Sequence, residues 1–500
     1  MKPCPECQHD IPEQAATCPQ CGASLPTKRK SDGWGYEYKS KAALFGLPWL
    51  HISFKYRGWR PVPAKGIFAI GQFAIGIFTL AQFGLGLVSV SQVTIAGYAL
   101  AQVAVAYSMT AQVGIYAHEG RGPAVTSVAD LLERGPSTDE LEAVEYTPLP
   151  RDDWKASTPA EQGLDPRLVA ELYHDAAELE TLYGLLVVKN GHLIAEGYFN
   201  EGSIDQLSGR QSATKSFTSA LVGVALDQGY LSSVDQKMMD FLPEFADQVT
   251  DPRKKQITIR DLLEMRAGYP WEGRTPPYFD VLYFSDNWHW LPHIVDFPLM
   301  SDPGTEYAYS NLTSHILAVI VARACDTDLK SYAQENLLSP INAEVGEWTP
   351  DPDGYNWGWG EIYVTARDMA KFGLLYLNDG ECEGKQVLPA DWVTDSLQRY
   401  SEDINFTGWF SSKAGRYFRD IGYGYQWWSA RAGNHRFDLA WGHGGQLIVL
   451  VDELDMIIVT TADPLYELPE EKGWKHEGAI IDLVGKFIKS LPKGETSKPE

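Results

Sequence analysis

The chain has 500 residues, and its 66 acidic side chains outnumber its 42 lysines and arginines, giving a formal net charge of −24. This charge excludes DNA or RNA as a natural partner, because phosphate binding needs a basic surface, and it disfavours non-specific adhesion to anionic lipid. The length and the 44% hydrophobic content predict an ordinary folded protein of about two to four domains with ample core.

Four of the six cysteines lie within the first 21 residues, as the pairs Cys4-x-x-Cys7 and Cys18-x-x-Cys21. Two such turns bring four thiolates to the corners of a tetrahedron, which suits zinc. The segment 1–26 resembles the short zinc ribbons found at bacterial N-termini, which implies a structural zinc ion. The alternative is two disulfides in a secreted protein, but no signal peptide precedes the cysteines. Reduced cysteines without a signal peptide predict a cytoplasmic protein.

A linker with an aromatic-rich stretch of no clear period is predicted over 27–65, and a five-residue repeat follows over 66–117. The repeat contains no Asp, Glu, Lys or Arg. Small residues occupy one place of each unit, at Gly71, Gly76, Ala81, Gly86, Ser91, Ala96, Ala101, Ala106 and Ala111. Larger side chains mostly stand two places later, at Phe73, Phe78, Phe83, Val88, Val93, Tyr98, Val103 and Val113. Five residues advance an α-helix about 140° beyond a full turn, so this period makes no helical stripe and is typical of a solenoid.

The pattern small-Gln-Phe/Val-x-x resembles pentapeptide-repeat proteins, and the resemblance implies a square β-helix over 66–117. The last place of each unit is aliphatic where that family is usually polar, as at Ile75, Leu80, Leu85, Val90, Ile95, Leu100 and Val105. If this place faces outward, the catalytic domain, a partner chain or lipid must cover an apolar stripe. The ribbon and the solenoid are therefore candidates for a protein partner or self-association.

Two membrane-spanning helices over 66–117 are the less favoured alternative, because an uncharged run of this length is enough for two spans. Basic residues just before the run, Arg57, Arg60 and Lys65, keep this alternative open. It would make the protein membrane-associated.

The rest of the chain predicts a second linker over 118–154, one large α/β unit over 155–488 and a disordered tail over 489–500. The predicted elements of the large unit are a hairpin of 185–188 and 193–198 around Asn190-Gly191, a helix over 212–229, a second helix with an N-cap at Thr258, and strands over 446–452 and 456–461.

Ser212-Ala213-Thr214-Lys215 is the motif that specifies a reaction, because it fits Ser-x-x-Lys. On a helix the lysine lies on the same face as the serine, one turn away. A serine hydroxyl becomes a good nucleophile when a nearby base takes its proton, and a lysine can be that base. Ser490 and Lys493 fit the same pattern, but a proline lies between them in a polar tail, and we interpret this match as chance.

Two further segments complete a candidate site. Tyr309 follows a turn, and a phenol near a lysine can relay a proton to a leaving group, while the amide of Asn311 can hold a substrate carbonyl. His443-Gly444-Gly445 precedes the predicted strand that begins at Gln446. The glycines let a substrate lie against the strand edge, where backbone N–H groups can point at a developing oxyanion.

Taken in this order, the three segments resemble the serine β-lactamase and penicillin-binding-protein superfamily, and most closely its class C-like branch of esterases, D-aminopeptidases and 6-aminohexanoate-dimer hydrolases. The likeness covers about residues 155–485 and is carried also by 257–263, 422–428 and 444–446. It implies an α/β (α+β) domain, with an antiparallel sheet flanked by helices and a helical insertion that bears Tyr309.

The resemblance also implies a role for each candidate residue: acylated nucleophile for Ser212, base for Lys215, proton relay for Tyr309, substrate contact for Asn311, and an oxyanion hole from the backbone N–H groups of Ser212 and Gln446. His443-Gly444-Gly445 stands where β-lactamases have Lys-Thr-Gly, whose lysine helps to bind the substrate carboxylate. This difference favours esters or amides over β-lactams. Met265-Arg266-Ala267-Gly268 replaces the usual His-Thr-Ser-Gly.

The sequence thus predicts a serine hydrolase that cleaves a small ester, amide or peptide-like bond, with Lys215 and Tyr309 as general bases and no catalytic cofactor. The alternative is a scaffold or sensor, in which the ribbon and the solenoid recruit partners and the large unit only binds a ligand. The presence of all the expected catalytic residues favours the enzyme.

Overall fold

A computed structural model describes residues 2–12, 15, 17–24, 33–121, 124–128, 135–283, 288–406, 414–465 and 470–493. The chain divides into two units, Met1–Gly135 and Pro136–Glu500. Parts of the linkers predicted at 27–65 and 118–154, and the end of the tail predicted at 489–500, lie outside the described residues.

Strands make up much of the first unit, including the aromatic-rich stretch for which the sequence shows no period. They are β1 (Lys2–Pro3), β2 (Asp10–Ile11), β3 (Trp34–Lys39), β4 (Ala43–Leu44), β5 (Leu47–Pro48), β6 (Leu50–Arg57), β7 (Arg60–Pro61), β8 (Ala64–Arg121) and β9 (Ala124–Ser127). β1 pairs with β2 and β3 with β6, both antiparallel. β6 runs parallel to the start of β8, so the aromatic stretch forms a sheet with the beginning of the repeat.

β8 contains the whole five-residue repeat, and its contacts recur at intervals of ten residues. Examples are the stacked rings of Phe68 and Phe78, with centroids 4.8 Å apart, those of Phe73 and Phe83, 4.9 Å apart, and the hydrogen bond of 3.0 Å that Thr94 Oγ1 donates to the Gly84 carbonyl oxygen. The small places allow this approach, because a Cβ added to Gly86 would lie only 2.7 Å from the Gly76 carbonyl oxygen.

This spacing corrects the sequence prediction in one respect. Contacts ten residues apart correspond to two repeat units, whereas the expected square β-helix has four units per turn. The alternative of two membrane-spanning helices is wrong, because 66–117 is strand throughout. In the part of the chain that the structure describes, no helix is both long enough and apolar enough to cross a membrane.

The second unit is built on an antiparallel sheet. Its strands are β10 (Leu182–Lys189), β11 (His192–Tyr198), β12 (Ser208–Gly209), β13 (Tyr363–Val364), β14 (Glu381–Cys382), β15 (Lys385–Gln386), β16 (Arg419–Tyr423), β17 (Trp428–Ala432), β18 (His435–Gly442), β19 (Gln446–Val451) and β20 (Met456–Ala462). Among the described strands, seven form one sheet in the order β11-β10-β20-β19-β18-β17-β16. The predicted hairpin is confirmed as β10–β11, with positive φ at Asn190 and Gly191, and the predicted C-terminal strands are confirmed as β19 and β20.

Helices cover both faces of this sheet. They are α1 (Thr138–Glu142), α2 (Pro166–Ala177), α3 (Thr214–Asp227), α4 (Met238–Phe241), α5 (Ile259–Leu263), α6 (Pro276–Tyr283), α7 (His293–Asp296), α8 (Asn311–Cys325), α9 (Leu329–Ala333), α10 (Ala366–Leu377), α11 (Ala390–Leu397) and α12 (Glu470–Ser490). Leu186 and Val188 of β10 pack in the core with α3, α8 and α10, whereas Leu185 and Val187 pack in a second core with α2 and α12. Successive side chains of a strand point to opposite faces, so the segment 185–188 of this strand is apolar at every position.

The helices that carry the predicted motifs form close to their expected positions. Gln211–Ala213 makes a single 3₁₀ turn, and α3 continues from Thr214 to Asp227, just before Gly229 with a φ of 76°. The predicted N-cap at Thr258 is confirmed, because its side chain accepts a hydrogen bond from the Asp261 N–H at the start of α5. Helices α4–α9 lie between α3 and α10 in the chain, and Tyr309 comes two residues before α8.

Candidate active site

Ser212 and Lys215 meet at the start of α3. Lys215 Nζ donates a hydrogen bond of 2.9 Å to Ser212 Oγ and another of 3.0 Å to the carbonyl oxygen of Trp359. The lysine is 1% exposed, because α3 is buried along most of its length. A base within hydrogen-bond reach of a hydroxyl is the geometric requirement for activating a serine.

Tyr309 also reaches Ser212. Ser212 is close enough to affect the pKa of Tyr309, and Lys215 Nζ lies 4.8 Å from the centroid of the tyrosine ring. Burial raises the pKa of Tyr309, while its interaction with Ser212 lowers the pKa. A phenol with a raised pKa keeps its proton at neutral pH, so this arrangement suits a proton relay better than a permanently ionised base.

Residues 265–268, which replace His-Thr-Ser-Gly, support the Tyr309 segment. The Met265 carbonyl oxygen accepts a hydrogen bond of 2.8 Å from the Ala308 N–H, and its Sδ accepts one of 3.3 Å from the Ser310 N–H. Met265 itself has a φ of 56°, an uncommon value for a residue with a side chain. The backbone on both sides of Tyr309 is therefore fixed by one residue, whose role the sequence left without an interpretation.

Glu272 holds the beginning of α8, where Asn311 lies. Its carboxylate accepts hydrogen bonds from Ser310 Oγ at 2.6 Å and from the N–H groups of Asn311 and Leu312, both at 3.2 Å. Burial raises the pKa of Glu272 to about 7, although these donors favour the ionised form. An acid at this position also interacts favourably with the helix N-terminus.

The Asn311 side chain contacts Tyr283 rather than Ser212. Its Nδ2 donates to the Tyr283 hydroxyl, and its Oδ1 has no hydrogen-bond partner among the described residues. Rotating the amide by half a turn exchanges the two atoms, after which Nδ2 is available for a substrate carbonyl. The predicted substrate contact of Asn311 stays a prediction.

Arg210 links the Ser212 turn to the start of β19. Its guanidinium, 1% exposed, donates to the carbonyl oxygen of Val364 and, across 3.1 Å, to Oε1 of Gln446. Burial lowers the pKa of Arg210 to about 9. The Gln446 side chain is thus occupied within the core, and only its backbone N–H can serve the predicted oxyanion hole.

A buried glutamate, Glu477 on α12, orients the His443 segment. Its carboxylate accepts hydrogen bonds from His443 Nδ1 at 2.8 Å, from the Gly444 N–H at 3.0 Å and from Trp441 Nε1 at 2.8 Å. Glu477 is fully buried, so His443 stands beside a buried acidic side chain.

Positions 444 and 445 require glycine, because of their backbone conformation and because neighbouring atoms leave no room for a Cβ. Their φ values are 80° and 93°, which side chains disfavour. A Cβ on Gly445 would lie 2.8 Å from Ile480, and one on Gly444 would lie 2.6 Å from the backbone of Pro464. The turn before β19 therefore depends on glycine at both positions.

Gln426, within the 422–428 motif, ties three helices to one another behind the candidate site. Its carbonyl oxygen accepts from Ser216 of α3, its Oε1 accepts from Ser314 of α8, and its Nε2 donates to the last turn of α5. The side chain is buried and fully bonded, so it fixes the position of α3 relative to α8.

The structure therefore brings Ser212, Lys215 and Tyr309 into direct contact, and it joins Gln446 to the same turn through Arg210. The described hydrogen bonds of Asn311 are with Tyr283 and Glu272, and that of His443 is with Glu477. Arg210, Glu272 and Glu477 are absent from the sequence prediction, because no motif marks a buried charge whose partner is distant in the chain. Trp359 contributes only a backbone carbonyl, which leaves no signal in the sequence.

The four N-terminal cysteines form a separate candidate metal site in the first unit. Their Sγ atoms all lie within 4.8 Å of one another. Cys4 and Cys21 are 3.7 Å apart at sulfur, and Cys7 and Cys18 are 3.6 Å apart. Four thiolates at the Zn–S distance of about 2.3 Å stand about 3.8 Å apart on a tetrahedron, so the donor set fits zinc.

Comparison with known proteins relates the second unit to hydrolases. The family model described as Beta-lactamase matches residues 180–476. The 6-aminohexanoate-dimer hydrolase of Paenarthrobacter ureafaciens is 25% identical over 315 residues, which cover 60% of this chain and 76% of that protein. Beta-lactamase-like protein 2 of Dictyostelium discoideum is 28% identical over 229 residues, so the chain spans only 40% of that relative. The crystal structure of a candidate β-lactamase from Bacteroides dorei shares the fold, with a TM-score of 0.51 at 18% identity over 64% of this chain and 96% of that one.

Proposed function

The chain belongs to the β-lactamase family, and on that premise we propose that it is a serine hydrolase that forms an acyl-enzyme on Ser212. The observation that carries this proposal is the hydrogen bond of 2.9 Å between Lys215 Nζ and Ser212 Oγ, at a lysine buried from solvent. A lysine serving only the fold would not need a serine hydroxyl as its partner.

In the proposed reaction, Lys215 takes the proton of Ser212 as Oγ attacks the substrate carbonyl carbon. The negative charge that develops on the carbonyl oxygen is stabilised by the backbone N–H groups of Ser212 and Gln446. Tyr309 passes a proton to the leaving alcohol or amine and is reprotonated from Lys215. Water then attacks the ester on Ser212, which releases the acid and restores the hydroxyl.

The substrate is proposed to be a small ester, amide or short peptide-like molecule without a carboxylate beside the scissile bond. Glu477 lies under His443 with no lysine in the corresponding motif, so a substrate carboxylate there would meet an acidic group. The name of the relative that hydrolyses a 6-aminohexanoate dimer fits an amide bond of this kind.

The test is covalent labelling by a fluorophosphonate, followed by measurement of the intact mass. One adduct per chain is expected for the wild type and none for Ser212→Ala. Ser490→Ala is the matched control, because Ser490 and Lys493 form the second Ser-x-x-Lys pattern and this variant should label fully. Labelling that survives Ser212→Ala would disprove the proposal.

We propose further that Cys4, Cys7, Cys18 and Cys21 bind one structural zinc ion. The sulfur spacing supports this proposal, and reduced thiols fit the cytoplasm, where disulfides are rare. Metal analysis of freshly purified, reduced protein should find about one zinc per chain. Zinc-free protein in that assay would remove the proposal.

We also propose that Ala64–Arg121 is a short β-solenoid with ten residues per turn. Ring stacking between Phe68 and Phe78, and between Phe73 and Phe83, supports this period. Insertion of ten residues should then preserve the fold of the first unit, whereas insertion of five should exchange the two sides of every later turn. Equal tolerance of both insertions, measured by circular dichroism, would contradict a ten-residue turn.

A further inference from the structure

The outer surface of β8 is apolar on both sides of its turns. Residues five apart fall on opposite halves of a ten-residue turn, and both halves expose aliphatic side chains. Leu85 and Ile95 are 48% and 60% exposed on one half, while Leu80 and Leu100 are 54% and 55% exposed on the other. We use the term apolar surface for the exposed hydrophobic side chains of Ala64–Arg121.

A protein partner does not explain this distribution. A docked chain or a second copy covers one side of an element, and interfaces of that kind have a polar rim around their apolar centre. The apolar surface continues around the element, and 66–117 contains no Asp, Glu, Lys or Arg to form a rim. The hydrocarbon of a bilayer surrounds whatever enters it, and it excludes charge in the same way.

The chain just before β8 exposes aromatic and basic side chains, which favour the headgroup region of a membrane. Trp34, Tyr36 and Trp59 are 62%, 58% and 95% exposed. Arg57 and Arg60 are also exposed in the same part of the first unit. Tryptophan and tyrosine side chains prefer the interface between lipid and water, and arginine is attracted to lipid phosphates.

The dimensions of the repeat also agree with a bilayer. Five turns at about 4.8 Å each measure about 24 Å, against a hydrocarbon thickness of about 30 Å. In the proposed solenoid, backbone groups pair with neighbouring turns, so unbonded groups are confined to the two end turns, at the depth of the headgroups. Gln72, Gln82, Gln92, Gln102 and Gln112 recur every ten residues, so in the proposed solenoid they fall in one row, where amides of successive turns can bond to one another.

We propose that the apolar surface of β8 inserts into a lipid bilayer, with the aromatic and basic residues of Trp34–Arg60 at headgroup level. The first unit then anchors the protein to a membrane. This binding is driven by apolar burial, because a chain of net charge −24 is repelled by anionic lipid as a whole.

The test is flotation of the full-length protein with vesicles of phosphatidylcholine and phosphatidylglycerol. The wild type should float with the vesicles, and it should continue to do so in about 1 M NaCl, where the Debye length falls to about 3 Å. Leu85→Lys with Ile95→Lys should lower the bound fraction by on the order of tenfold, because lysine is costly in hydrocarbon. Leu207→Lys is the matched control, because Leu207 in the second unit is also 48% exposed, and its binding should not change.

The proposal is overturned if the wild type stays in the vesicle-free fraction, whether as a monomer or as an oligomer. It is equally overturned if high salt releases the protein, or if the folded double variant binds like the wild type. Circular dichroism reports whether each variant is folded. If the double variant does not fold, flotation of the wild type at high salt still tests the proposal.

Discussion

Two elements supply the groups that reach Ser212. Lys215 comes from α3, which follows directly on the turn that contains Ser212, and Tyr309 comes from the segment before α8, where Met265 fixes the backbone. Because burial raises the pKa of Tyr309, the phenol holds its proton, and Lys215 is the group placed to accept the first proton from Ser212. We therefore propose Lys215 as the general base and Tyr309 as a proton relay.

Replacing Tyr309 with phenylalanine should slow turnover of an alkyl ester or an amide by about 10²–10⁴-fold, because an alkoxide or amine leaving group needs the proton that the relay supplies. Fluorophosphonate labelling of Ser212 should persist, since its fluoride leaving group needs no such proton. Tyr307→Phe is the matched control, because the Tyr307 hydroxyl is buried without a hydrogen-bond partner among the described residues. Equal rates for the two variants would exclude the relay.

Glu477→Gln should change which substrates are preferred. Removing the charge beneath His443 should improve kcat/KM for a carboxylate-bearing ester relative to its neutral analogue by on the order of tenfold. Glu453→Gln changes another His–Glu pair of the second unit, with His435, and should leave this ratio unchanged. A ratio that is the same in all three proteins would show that Glu477 does not select substrates.

At the scale of elements, the N-terminus of α8 is hydrogen-bonded to a buried acidic side chain. Glu272 accepts three hydrogen bonds at the helix N-terminus, and burial still raises its pKa from 4.5 to about 7. The folded protein therefore holds a proton that the unfolded chain releases between these two values. The resulting contribution to stability is fully present below pH 4.5 and is lost as the pH rises through about 7.

Between about pH 5 and pH 8, the wild type should lose about 2 kcal/mol more unfolding free energy than Glu272→Gln, which carries no titrating group at this position. Urea unfolding at each pH measures the difference. Glu335→Gln, at an exposed glutamate, should follow the wild type. Parallel pH profiles for the wild type and Glu272→Gln would mean that Glu272 is ionised throughout.

Local sequence signals predicted the elements that depend on local chemistry. The Asn190-Gly191 turn, the Thr258 cap and the Ser212 helix are set by neighbouring residues, and the structure contains all three. The strands between Trp34 and Pro61 were missed, because they depend on pairing with one another and with β8. The number of repeat units per turn is likewise a property of packing, which a five-residue period leaves open.

At the scale of the whole molecule, the two units carry separate chemistry. The cysteine cluster lies in Met1–Gly135, while Ser212, Lys215 and Tyr309 all lie in Pro136–Glu500. The family match at 180–476 also falls entirely in the second unit. Hydrolysis should therefore not depend on the metal.

A chelator that removes the proposed zinc ion should unfold the segment around the four cysteines without lowering the rate of ester hydrolysis. Metal release and turnover can be followed in the same sample, with a chromogenic chelator and a p-nitrophenyl ester. Cys4→Ser with Cys7→Ser should give the same result, and Cys325→Ser is the matched control that should retain zinc. Loss of hydrolysis in step with metal release would contradict this separation of roles.

The central claim is that turnover passes through an ester on Ser212. Its most direct test is mass spectrometry of protein quenched during p-nitrophenyl ester hydrolysis, with the acylated peptide identified after digestion. We predict a substrate-derived acyl group on Ser212, absent from Ser212→Ala and slow to form in Lys215→Ala. Undiminished hydrolysis by Ser212→Ala, or an acyl group on any other residue that turns over at the rate of hydrolysis, would contradict the account.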